Sequence, residues 1–86
     1  MTVTFYTGVT KYTNGDKSFS VKNHPTLRGV LEELGGYYGD GLIAFLNGSE
    51  TCLILINGKG IKLTGGFDSP LEQSDIIEIL PFVDAG

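Results

Sequence analysis

One stretch of this chain has the period of a helix, and the apolar segments on either side have the period of strands. Leu27, Val30, Leu31 and Leu34 recur at the spacing of a single helix face, with Arg28, Glu32 and Glu33 on the opposite side. Upstream, Thr2-Val3-Thr4-Phe5-Tyr6-Thr7 is β-branched and aromatic, and alternation puts Val3 and Phe5 on one face and Thr4 and Tyr6 on the other. Lys17 to Lys22 alternates around Phe19 and Val21 and predicts a second strand that pairs with the first as a hairpin. Downstream, Cys52 to Ile56, the short return Ile61-Lys62-Leu63 and Ile76 to Leu80 read as strands. A lone helix among strands must lie across a sheet, and it covers only one face; the other meets water or a partner. The expected fold class is therefore α+β, a mixed sheet crossed by one main helix from Leu27 to about Tyr38. Its core is expected to hold Phe5, Val30, Leu31, Leu34, Ile77 and Ile79.

The boundaries follow from turn chemistry. Thr13-Asn14-Gly15-Asp16 and Asn57-Gly58-Lys59-Gly60 carry residues that accept positive φ. His24-Pro25 interrupts the second strand and Thr26 stands where a helix N-cap belongs, although Gly29 occupies the place of a capping-box Glu. Gly35-Gly36 offers the helix an earlier stop. Leu42-Ile43-Ala44-Phe45-Leu46 is a short strand or a helical turn, and at this length periodicity does not choose. Pro81 closes the final strand, so residues 1–81 are expected to form the domain and 82–86 a flexible tail.

At 86 residues there is room for one core and no second domain to close a cleft, so chemistry must sit at the surface, at an end or at a contact with another protein. The net charge of −4, with Lys11, Lys17, Lys22, Arg28, Lys59 and Lys62 scattered, argues against nucleic-acid binding. No apolar stretch approaches the roughly 20 residues of a membrane span, and no basic-then-apolar leader stands at the start, which makes the cytoplasm the expected compartment. A single cysteine, Cys52, excludes an internal disulfide and a thiolate-held cluster, and its apolar neighbours make it a packed strand residue.

Other residues that carry chemistry elsewhere read structurally here. His24 has no adjacent nucleophile and reads as a loop residue. Asp68, Glu72 and Asp75 sit in turns, where carboxylates bond local backbone N–H groups, and no metal site is expected. Gly58-Lys59-Gly60 lacks the ending and the following helix of a phosphate-binding loop.

From Leu53 onward several motifs stand in order: Leu55-Ile56-Asn57-Gly58, then Gly66-Phe67-Asp68-Ser69-Pro70-Leu71, then Ser74-Asp75-Ile76-Ile77, and last Pro81-Phe82-Val83-Asp84-Ala85-Gly86. This ordered set resembles the ubiquitin-like (β-grasp) sulfur carriers of the MoaD/ThiS type, nearest among them the small subunit of molybdopterin synthase. The first half agrees in layout alone. Phe82 stands where these carriers usually have a second proline, and Ala85 where they have the penultimate glycine.

The resemblance implies a carrier and not an enzyme. It binds no cofactor; ATP is consumed by a separate adenylating enzyme that activates the carboxylate of Gly86, which then becomes a thiocarboxylate. The molybdopterin synthase large subunit would be the second partner, receiving the sulfur for molybdenum or tungsten cofactor biosynthesis. The resemblance also places a partner-binding apolar patch at Tyr6, Ile61, Leu80, Phe82, Val83 and Ala85. Glycine suits a tail that threads a narrow channel, and Ala85 adds one methyl there. Two further readings stay open. One is a carrier for another pathway (thiamine, cysteine or tRNA thiolation) or a protein modifier; the other is a β-grasp interaction module that is no longer activated.

Overall fold

The computed structural model describes residues 1–48 and 52–82. Val83, Ala85 and Gly86, with the expectation of a flexible tail, lie outside the described residues. The elements are β1 (Thr2–Phe5), β2 (Ser18–Ser20), α1 (Leu27–Tyr38), α2 (Asp40–Asn47), β3 (Cys52–Ile56), β4 (Lys59–Gly60) and β5 (Ile76–Pro81). Short 3₁₀ turns occupy Thr10–Tyr12, Ile61–Leu63 and Gly66–Asp68.

The five strands form one mixed sheet in the order β2-β1-β5-β3-β4. Only the central pair, β1 and β5, is parallel, with Val3 opposite Ile77 and Phe5 opposite Ile79. Alternation then sorts the sheet as the sequence predicts. Val3, Phe5, Ile54, Ile56, Ile77 and Ile79 turn inward and are buried, and α1 lays Leu27, Val30 and Leu34 over them. Of the expected core residues only Leu31 stays half-buried, at the edge of the helix stripe.

Helix α1 passes through Gly35 and Gly36 and ends at Gly39, whose φ of 95° breaks it and whose N–H bonds the Gly35 carbonyl at 2.9 Å. The run that periodicity left open is helical: α2 begins at Asp40, an acid suited to a helix N-terminus, and buries Leu42 and Leu46 one turn apart. Gly35 permits this pairing of helices, since a Cβ there would stand 2.7 Å from Ile43 Cγ1. Gly36 has open space around it. Gly36→Ala should therefore raise stability by about 0.5–1 kcal/mol through helix propensity alone, read as a higher urea midpoint. Gly35→Ala should show no such gain, because its methyl must displace Ile43.

Two local expectations are corrected. Thr26 holds the N-cap position but makes no side-chain cap bond. The first helical N–H, that of Leu27, instead donates to the Ser69 carbonyl at 3.0 Å, and Leu71 N–H returns a bond to Pro25. The cap is thus supplied by a loop more than 40 positions away. The return strand is Lys59–Gly60 and not Ile61–Leu63, because Asn57 (φ 52°) and Gly58 (φ 82°) complete the turn in two residues. Thr64 and Gly65 N–H then both bond the Ile61 carbonyl at 3.1 Å and curl the chain away from the sheet.

Candidate partner surface and tail base

Opposite the helices, the outer face of the sheet is built by the alternate residues of the same strands. Glu78 and Leu80 point outward from β5, as alternation requires, with Thr4 and Leu55 flanking Glu78 and Leu53 directly opposite Leu80. Tyr6 continues β1, its N–H bonded to the Ile79 carbonyl at 3.1 Å, and its hydroxyl donates to the Glu78 carboxylate. That bond to a carboxylate raises the phenol above its ordinary pKa, so Tyr6 remains a neutral donor. Tyr6 and Leu53 are each 38% exposed and Ile76 58%, which makes the β5–β3 half of this face apolar around the Glu78 carboxylate, while Thr2, Thr4, Ser18 and Ser20 make the β1–β2 half polar.

The expected patch is therefore only partly one surface. Tyr6 and Leu80 share the outer face, and Phe82 follows directly from β5. Ile61 lies to the side: it lines a groove of about 510 Å³ with Leu46, Leu53, Ile54, Phe67 and Phe82. Val83, Ala85 and Gly86 fall outside the described residues. Leu53, Leu55 and Ile76 belong to the face and were missed. Strand alternation marked their side of each strand, but their neighbours depend on β3 lying against β5.

The remaining candidates are structural. Asp75 accepts bonds from Glu72 N–H at 2.8 Å and then from Asn57 Nδ2 at 2.9 Å, which in that order hold its carboxyl below the usual range, and both fix the entry to β5. Asp68 pairs with Arg28 at 3.1 Å on the surface. Among the described residues no cluster of three metal-ligating side chains occurs, and no helix is long and apolar enough to cross a membrane. Cys52 is half-buried with Sγ 3.6 Å from the Leu46 carbonyl, and burial pushes its thiol up, away from the reactive thiolate.

His24 also has a packing role. Its ring lies under Gly29, where a Cβ would meet Nδ1 at 2.7 Å, and Nε2 stands 2.8 Å from Glu33 Oε1, which also accepts the Lys22 N–H at 3.0 Å. The His24 bond, and then the Lys22 N–H, hold the Glu33 carboxyl below its ordinary range. A carboxyl lowered in the folded state stabilises above the unfolded pKa and loses that contribution as pH falls through the folded one. Glu33→Gln should thus cost about 0.5–1 kcal/mol near neutrality. The gap between the two urea midpoints should close below about pH 4.

One family model, that described as the ThiS family, matches residues 3–86. This chain belongs to the ThiS family. It is a ubiquitin-like sulfur carrier of the ThiS/MoaD type, and such small carriers are not themselves catalytic. No curated protein gives a significant match. Among solved structures, Mycobacterium tuberculosis CysO superposes with a TM-score of 0.80 at 26% identity, covering 95% of this chain and 98% of that one. The small archaeal modifier protein 1 of Methanosarcina acetivorans follows with 0.76 at 25% identity, covering 99% and 94%. A chain of the complex between subunits 1 and 2 of molybdopterin-converting factor from Helicobacter pylori gives 0.62 at 26% identity, covering 99% and 96%.

Proposed function

We propose that this ThiS-family chain carries sulfur as a thiocarboxylate on Gly86 and that a separate adenylating enzyme loads it. The family match running through Gly86 supports the reading most directly. The carboxylate would attack the α-phosphate of ATP, releasing pyrophosphate and leaving a mixed anhydride with AMP. A persulfide sulfur on the partner system then displaces AMP to give an acyl disulfide, and a second thiol of the partner system attacks the partner's own sulfur in that bond, releasing the thiocarboxylate and leaving a disulfide on the partner. The domain contributes a handle and no acid, base or metal: the outer face around Tyr6, Leu53 and Leu80 docks on the partner. From the same end of β5, Phe82 leads into the tail that enters the active site. The acceptor we favour is the molybdopterin synthase large subunit in molybdenum or tungsten cofactor synthesis, because the Pro81-Phe82-Val83 tail and the Asp68-Ser69-Pro70 turn resemble that branch.

A second reading rests on the superpositions. CysO and the archaeal modifier overlay this chain more closely than the molybdopterin-converting factor does, 0.80 and 0.76 against 0.62. This favours another sulfur acceptor or a lysine-directed modifier. With the activating enzyme of the same genome, ATP and a sulfur source, the intact mass should rise by about 16 units as oxygen is replaced by sulfur. Ala85→Gly should load at an equal or higher rate. Discharge of the loaded chain by large subunit and pyranopterin precursor supports the favoured acceptor, whereas adducts on lysine support the modifier. If an enzyme shown to be active adenylates neither wild type nor Ala85→Gly, the chain is an interaction module.

A further inference from the structure

We infer that the free edge of β2 is a self-pairing surface, by which two copies of this chain join β2 to β2 about a two-fold axis into one continuous sheet. The backbone carries the argument. Phe5 N–H bonds the Lys17 carbonyl at 2.8 Å, Val21 N–H bonds the Met1 carbonyl at 2.8 Å, and Phe19 stands opposite Val3 between them. Lys17, Phe19 and Val21 therefore direct their main-chain groups to β1, and by alternation Ser18 and Ser20 direct theirs away from it. Both serines are exposed, and among the described residues nothing bonds their N–H or C=O groups. The ends of this free edge are closed. Beyond Ser20, the next outward N–H, that of Lys22, is taken by Glu33 Oε1 at 3.0 Å. Before Ser18, the Asp16 N–H bonds the Thr13 carbonyl at 2.9 Å, and the Asp16 carbonyl accepts the Thr13 hydroxyl at 2.8 Å.

An edge of two open residues is satisfied in full by the antiparallel register centred on Phe19. Ser18 exchanges both bonds with the partner's Ser20, and Ser20 with the partner's Ser18. The neighbouring in-phase registers set Ser18 against the partner's Lys22 or Ser20 against the partner's Asp16, whose main-chain groups are already engaged. Side chains agree with the same register. It places Asp16 opposite the partner's Lys22 at both ends of the ladder, with Asp16 Oδ1 free of the Tyr38 hydroxyl that bonds Oδ2. It also makes the two Phe19 residues the non-hydrogen-bonded pair, whose side chains approach most closely, on the face covered by α1. There each Phe19 ring lies 4.7 Å from that of Tyr37, which is 64% exposed, so four aromatic rings gather along the axis. Strand β1 separates this edge from β5, and the surface around Leu53 and Leu80 stays open in the pair. A contact of this size holds weakly, with a Kd of about 10 µM to 1 mM.

The test is sedimentation equilibrium of the full chain from about 10 µM to about 1 mM, with ¹⁵N spectra over the same range. The average mass should climb from that of one 9.2 kDa chain towards twice that value, with concentration-dependent shifts centred on Ser18, Phe19, Ser20 and Tyr37. Ser20→Pro removes an N–H that points away from β1, so it should weaken pairing by about 10-fold or more while the urea midpoint moves little. Lys22→Glu sets a carboxylate against the partner's Asp16 and should weaken pairing by about 5-fold or more. Lys62→Glu makes the same change of net charge on another surface and should leave it within about 2-fold. Asp16→Lys should also pair poorly with itself, whereas an equal mixture of Asp16→Lys and Lys22→Glu chains should recover the wild-type affinity, since opposite charges then meet at both ends. The inference is overturned by the mass of a single chain at about 1 mM, by shifts centred on Leu53 and Leu80 instead, or by Ser20→Pro pairing as tightly as wild type. A mixture that associates no better than its separate components overturns it equally.

Discussion

Deleting Gly86 should take the mass gain of about 16 units from complete to nil while the circular dichroism spectrum and urea midpoint stay where they are. The expectation combines two facts of different kinds. In the proposed chemistry the only reacting group is the carboxylate of this residue, so a shortened chain presents its carboxylate one residue short of where the activating enzyme holds ATP. Among the described residues, every member of the buried cluster lies between Val3 and Ile79, so the deletion removes none of them. Leu80→Glu tests the handle in the same assay: a charge on the outer face opposite Leu53 should slow loading by about 10- to 100-fold and leave the fold intact. The informative failure is a sulfur gain that survives the deletion. A gain of about 32 units would point to a persulfide on Cys52, and the carrier reading at Gly86 would fall.

Ile79→Ala should cost about 2–5 kcal/mol, a large share of the roughly 4–13 kcal/mol expected for a domain of this length. Ile79 has no exposure, sits opposite Phe5 on β1 and Ile54 on β3, and so closes the middle of the sheet against α1. Truncation leaves a cavity bounded by three elements that cannot all collapse into it. The melting temperature should drop by about 10 °C or more. Leu53→Ala, one place along β3 from Ile79's partner Ile54 but on the outer face, should cost under about 1 kcal/mol. Equal costs at the two positions would contradict the assignment of faces.

The contrast between those two residues also marks how far the sequence reaches. Alternation in Ile76 to Leu80 and in Thr2 to Tyr6 decided which side chains turn inward, because a strand's period of two leaves no other choice once one face is buried. The stripe Leu27, Val30, Leu31 and Leu34 decided the helix and its buried side, and Asn57-Gly58 decided a turn, since both residues accept positive φ. The ordered motifs pointed to the family. Tertiary structure decided whatever depended on a distant neighbour. Leu42 to Leu46 is helical because Gly35 admits Ile43 and the core admits Leu42 and Leu46, and none of these contacts is encoded in a five-residue apolar run. The cap on α1 comes from the Ser69 carbonyl, a backbone group that any residue would carry. Leu53, Leu55 and Ile76 join the outer face because β5 lies between β1 and β3, and strand order is set by long-range pairing, not by local propensity.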